Sequence, residues 1–119
     1  DQQGVPTSAR WMAQMTVHAM QLSDRDGLSG LFHLTPAGAT TWHAYAQHVF
    51  AHAQTLGWRL RIKDVQAIRT DEYPLPAVRP AYSLMDSRPL AAALGVDLPP
   101  WQMGVNEVLA ALRPTQPLT

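Results

Sequence analysis

"GLFHLTPAGATTWHAYAQHVFAHAQTLGWRLRIKDVQAI", residues 30–68, carries the clearest periodic signal in the chain. Its centre is a helix. Trp42, Tyr45, Ala46, Val49, Ala53 and Leu56 recur at three- and four-residue steps and share one face. The hydroxyls closing "TPAGATT" can cap its start, and Gly57 is a natural left-handed stop. "GLFHL" (Gly30–Leu34) and "DVQAI" (Asp64–Ile68) read as short strands on either side. Strand, helix and strand within about 40 residues predict a right-handed crossover with parallel strands. The fold class is therefore α/β: a small βαβ unit with flanking helices.

Upstream, Pro6-Thr7-Ser8 offers hydroxyls for an N-cap, and Trp11, Met12, Met15, Ala19 and Leu22 form an apolar helical stripe. "SDRDG" (Ser23–Gly27) predicts the stop. Downstream, "EYPLPAVRPAYSLMD" (Glu72–Asp86) has no period, three prolines and one arginine, Arg79. Asp86 or Ser87 caps a short helix with Pro89 in its first turn and Gly95 as its stop. "LPPW" opens a last helix with a buried stripe of Trp101, Val105, Val108, Leu109 and Leu112, and "RPTQPLT" reads as a frayed tail.

The 119 residues amount to one domain, or a piece of a larger protein, read here as residues 1–119. The start on Asp1-Gln2-Gln3-Gly4 without Met reads as a fragment or a processed start. Net charge is zero with His neutral, which argues against a nucleic-acid surface and a polybasic membrane patch. No apolar run is long enough to span a bilayer. There is no cysteine, hence no disulfide framework or thiolate metal site, a usage compatible with a reducing cytoplasm.

Few residues suggest chemistry. His48 and His52 stand at i and i+4, a chelating spacing, but HExxH is absent and no third ligand is near, so a solvated or rim position is expected. His33 reads as a bonded core or rim histidine. No serine sits in a G-x-S-x-G elbow, and no carboxylates form an acid/base pair. A dinucleotide needs a Gly-rich strand-to-helix turn, and none is present. The residues four after Tyr45, Tyr73 and Tyr82 are Val49, Ala77 and Asp86, so Tyr-x-x-x-Lys is absent too. Trp11, Trp42 and Trp101 lie on helical stripes and read as core, and Trp58 covers a helix end.

Arg79 stands out because prolines stiffen its surroundings. A guanidinium on a stiff loop meets a phosphate with two parallel hydrogen bonds at low ordering cost. The same fork serves the carboxylates of Asp71, Glu72 or Asp86 equally well, and local chemistry leaves the choice open.

"DQQGVPTSARWMA", "GLFHLTPAGATTWHAYAQHVF", "YPLPAVRPAYSLMD" and "LPPWQMGVNEVL" follow in this order across nearly the whole chain. Together they resemble the carboxy-terminal part of the dTDP-4-dehydrorhamnose reductase family, extended short-chain dehydrogenase/reductases of deoxysugar biosynthesis. The resemblance implies an intact parent that reduces dTDP-6-deoxy-L-lyxo-4-hexulose to dTDP-L-rhamnose with NADPH or NADH. An amino-terminal Rossmann domain, absent from this chain, would hold the cofactor and a Thr/Tyr/Lys catalytic set. This chain would be the substrate-binding part, holding no cofactor and inactive alone.

By the same resemblance Arg79 faces the nucleotide diphosphate of a dTDP-sugar, and Pro80 keeps it placed. Gln2, Pro6 and Thr7 fall in the block at the domain junction and become substrate-contact candidates. Loop shaping by Gly4, Pro6 and Thr7 is the alternative. Some relatives share a Mg²⁺ at a dimer contact through a carboxylate late in the last helix. Here that turn reads Ala110-Ala111-Leu112 and the helix offers only Glu107, which counts against Mg²⁺. Cytoplasmic location, a role in lipopolysaccharide O-antigen biosynthesis and a homodimer complete the expectation. A non-catalytic binding or regulatory subunit derived from the same fold is the rival reading.

Overall fold

A computed structural model describes residues 1–112 of the chain. Two strands and four α-helices follow in order, with a 3₁₀ turn (Thr70–Glu72) between the second and third helices: β1 (Gln3–Gly4), α1 (Ala9–Asp26), β2 (Thr40–Thr41), α2 (Trp42–Thr55), α3 (Arg88–Leu94) and α4 (Trp101–Ala111). The expected tail, residues 113–119, lies outside the described residues.

The helices form where local signals placed them. Ser8 caps α1, its Oγ accepting from the Trp11 N–H at 3.2 Å. α1 then runs through Ser23–Asp26 to a left-handed cap at Gly27, four residues past the expected stop. Its polar turn residues continue the helix because Gly27 is the first position at which the backbone is free to reverse. Thr41 caps α2 by accepting from the Ala44 N–H. Gly57, at φ 84°, closes that helix as the Trp58 N–H reaches the Ala53 carbonyl at 3.0 Å.

α2 packs on α4, and α1 on α3. Trp101, Val105 and Leu109, one row of α4, are buried against Val5, Tyr45, Val49 and Leu56. Val108 and Leu112, expected in that stripe, are exposed. Gly38 passes so close that a Cβ there would sit 3.1 Å from Trp101 Cδ1, at a φ of 98° that disfavours any side chain. Thr35 and Ser87, both buried, tie the chain before β2 to the start of α3. The Thr35 N–H donates to Ser87 Oγ at 2.7 Å. Ser87 spends its hydroxyl there, so it is the Asp86 carboxylate that accepts the Arg88 N–H.

The α/β class stands, but the strands lie elsewhere than the crossover reading put them. Gly30–Leu34 and Asp64–Ile68 join no sheet among the described residues. Leu31 is 92% exposed, and the Val65 N–H is met by its neighbour Asp64 instead of a ladder partner. An alternating pattern shows that a segment could serve as a strand; a ladder also needs a partner edge. The observed sheet pairs β1 with β2 antiparallel, Gln3 opposite Thr41 and Gly4 opposite Thr40. On the other side Gln3 bridges in parallel to Tyr82, its N–H donating to the Ala81 carbonyl and its carbonyl accepting from the Ser83 N–H.

Candidate functional site

The aperiodic segment around Arg79 is fastened at both ends by the first three residues. At the near end the Asp1 carboxylate accepts from the Thr70 N–H at 3.1 Å and from its hydroxyl, and the Gln2 amide reaches the same hydroxyl at 3.3 Å. These bonds hold the 3₁₀ turn Thr70–Glu72. At the far end the backbone of Gln3 grips Ala81 and Ser83, reinforced by Ser83 Oγ donating to the Gln3 carbonyl at 3.0 Å. Gly4 makes room for that contact, since a Cβ there would lie 3.1 Å from Ser83 Oγ. The exposed loop between these fastenings carries Arg79.

Every carboxylate that local chemistry offered to Arg79 is engaged elsewhere. Asp71 pairs with Arg69 at 3.2 Å, Glu72 accepts the Arg69 N–H at 2.6 Å, and Asp86 takes Arg88 in a two-bond fork, both bonds 2.8 Å. Among the described residues Arg79 has no ion-pair partner. The Arg88 hydrogen bonds lower the Asp86 pKa to about 2. A depressed carboxylate stabilises the fold above its ordinary value and loses that contribution as pH falls through about 2. In Arg88→Ala the Asp86 carboxyl, followed by NMR titration, is expected to titrate at higher pH, towards the ordinary value. An unmoved midpoint would remove Arg88 as the cause.

Two adjoining hollows flank this loop. The smaller, about 380 Å³, is lined by Gln2, Pro6, Thr7, Pro80, Trp42 and Tyr45 among others. The larger, about 790 Å³, is lined by Arg79, Tyr73 and residues of the 3₁₀ turn. Gln2 and Trp42 line both. So Gln2, Pro6, Thr7 and Pro80 meet at one hollow, and Arg79 borders the next. The Thr7 hydroxyl also donates to the Val5 carbonyl at 3.3 Å, which shapes its own loop.

Trp42 departs from the core position expected for it. It is 70% exposed, its indole edge-on to Tyr45 at 6.1 Å. Tyr45, half-buried, continues edge-on to Trp101 at 6.0 Å. Side chains of a helix lean toward its N-terminus, so a large group at the first residue projects past the helix onto the preceding loop. That rule, applied to a tryptophan directly after a capping threonine, is the signal that could have found it.

Of the histidines, His43 and His48 make side-chain bonds that tie segments together. His48 is half-buried, bonded to Asn106 Oδ1 at 2.8 Å and edge-on to Trp101. His52 stacks on it at 6.1 Å, and both lie at the rim of the α2–α4 contact. His43 meets the Val65 carbonyl at 3.0 Å, whereas His33, expected as a bonded core or rim histidine, is exposed and makes no hydrogen bond among the described residues. Among the described residues no three His, Cys, Asp or Glu gather as a metal site. Neither strand-to-helix junction, residues 5–8 or the direct step from Thr41 to Trp42, carries the glycines that a pyrophosphate-binding turn requires. Neither junction is therefore a dinucleotide-binding turn. No helix of the described chain is long and apolar enough to cross a membrane.

The family model described as "RmlD substrate binding domain" matches residues 1–113. The dTDP-4-dehydrorhamnose reductase of Escherichia coli is 39% identical over 94% of this chain, and that of Salmonella typhimurium 36% over the same share. In both cases the chain spans 38% of the relative's length. A crystal structure of a dTDP-4-dehydrorhamnose reductase from Clostridium acetobutylicum superposes with a TM-score of 0.81 at 27% identity, over 96% of this chain and 37% of that one.

Proposed function

This chain belongs to the RmlD substrate-binding domain family, and from that premise we propose that it forms one wall of a nucleotide-sugar cleft, with Arg79 facing the diphosphate. The observation that carries this reading is the state of Arg79. Its guanidinium has no ion-pair partner among the described residues, on a loop fastened at both ends, beside two joined hollows. A carboxylate partner would have answered the alternative, and all three candidates are engaged by other groups. Pro80 limits the backbone next to the arginine, while Gln2, Pro6 and Thr7 line the hollow where the rest of the ligand lies.

The whole protein is proposed to reduce dTDP-6-deoxy-L-lyxo-4-hexulose to dTDP-L-rhamnose, for O-antigen synthesis in the cytoplasm. The hydride comes from NADPH or NADH on a Rossmann domain that also supplies the catalytic set. This chain contributes binding and orientation and has no reductase activity alone. Its surface supports the need for such a partner. The radius of gyration is 17.4 Å, against roughly 13–14 Å for a compact domain of this length. Met12, Val17, Met20 and Leu31 are left exposed.

Calorimetry with dTDP-rhamnose tests the reading. Saturable binding is expected, displaced by thymidine diphosphate and not by free rhamnose. Displacement by rhamnose alone, or no binding at millimolar ligand, would sink it.

A further inference from the structure

The hollow of about 380 Å³ falls in the usual size range of small-molecule sites, with aromatic walls and a few polar groups. Trp42 lines this hollow and the neighbouring one that Arg79 borders. Helix geometry carries Trp42 past the end of α2, and the packing among the described residues leaves it uncovered. The indole is 70% exposed, it is absent from the α2–α4 core, and its one aromatic neighbour, Tyr45, meets it edge-on. Burying so large an apolar face is favourable wherever a partner exists. Here the fold holds the face open, with Tyr45 bracing it.

Polar groups converge on the same hollow. Gln3 lines it, and its side-chain amide has no hydrogen-bond partner among the described residues. Thr40 and Thr41, the ladder partners of Gly4 and Gln3, line it too, just before α2. A primary amide offers an acceptor and two donors in one plane. A thymine edge presents a ring N–H flanked by two carbonyls, which an amide can pair with, and its faces are flat and apolar. A hexose can also lay a C–H face on an indole, but it has no planar donor–acceptor edge for an amide to pair with, so the pairing of Trp42 with Gln3 favours the base.

We propose that Trp42 is the stacking platform for the pyrimidine base of the nucleotide-sugar, with the Gln3 amide at the base edge. The proposal rests on the nucleotide-sugar reading and orients that ligand. The base lies in the smaller hollow against Trp42, and the diphosphate crosses Pro80 to Arg79 in the larger one. The hexose is thereby directed away from Tyr45.

Tryptophan fluorescence of the chain, titrated separately with thymidine, inorganic pyrophosphate and L-rhamnose, tests it. Thymidine is expected to quench the emission in the wild type and not in Trp42→Leu, while rhamnose leaves it unchanged. Stacking of a base on an aromatic side chain implies about tenfold weaker thymidine diphosphate binding in Trp42→Leu. Since Trp42 is exposed, that variant keeps the wild-type melting temperature. Arg79→Ala retains the thymidine quench. Quenching by rhamnose, or thymidine quenching that survives Trp42→Leu, overturns the stacking. If thymidine diphosphate binding depends on Arg79 and not on Trp42, the stacking falls and the nucleotide-sugar reading stands. If thymidine diphosphate does not bind at all, both fall.

Discussion

Trp101→Ala is expected to cost about 3–5 kcal/mol of stability, the range for emptying a buried aromatic site. Trp101 is only 6% exposed and sits where three parts of the chain meet. Tyr45 and His48 contact its ring edge-on at 6.0 and 5.0 Å, and Gly38 presses on Cδ1. Its backbone N–H donates to the Ala37 carbonyl at 3.1 Å, which docks the segment before β2 on the head of α4. Few other groups can compensate, because the buried apolar side chains among the described residues are Ala53, Leu90, Leu94, Val105 and Leu109 besides Trp101. Domains are stable by only about 5–15 kcal/mol, and a core this small belongs at the low end. Circular dichroism on heating is therefore expected to show the alanine variant largely unfolded or melting far below the wild type. Trp101→Phe should retain much of the packing. A cooperative melt at the wild-type temperature in Trp101→Ala would show that the α2–α4 contact does not hold the chain together.

The contrast between Trp101 and Trp42 shows where the sequence was legible. Both sit on helical stripes of the same quality. Periodicity reports the angle of a residue around a helix but not its height along it. Trp101 opens α4 over Tyr45 and His48, while Trp42 opens α2 one step beyond the contact between the two helices. The four helices could be read because caps and periods are local: Ser8, Thr41, Gly57 and Gly95 all act within one turn of the ends they mark. The sheet could not. Strands of two residues have no alternation to detect, and the ladder joins Gln3 to residues some 40 and 80 positions away. Asp1 likewise holds Thr70 across 69 positions, a bond that no local pattern announces. Arg79 was visible as a cation on a stiff loop. That its neighbours' carboxylates were spent on Arg69 and Arg88 needed side-chain geometry.

That geometry makes Arg79 the residue with the largest expected effect on binding. A guanidinium fork gives a diphosphate two charge-assisted hydrogen bonds, and a hydrogen bond to a charged group contributes about 1.5–3 kcal/mol. Arg79→Ala should therefore weaken dTDP-rhamnose binding by roughly 10- to 150-fold in calorimetry. Arg79→Lys keeps the charge and loses the fork, so it should fall between. Neither change should move the melting temperature, since the side chain is exposed and pairs with no carboxylate among the described residues. Salt supplies a second check. Screening weakens a charge contact at the surface, so raising ionic strength should lower wild-type affinity more than that of Arg79→Ala. Unchanged affinity in the alanine variant would return Arg79 to an ordinary solvated cation. The fastening of its loop by Asp1, Gln2 and Gln3 would then be explained by Pro80, whose ring lines the hollow beside Trp42 whether or not an arginine precedes it. The two residues are adjacent, yet they border different hollows. Their separate replacement thus distinguishes a loop built to present a charge from a loop built to close a wall.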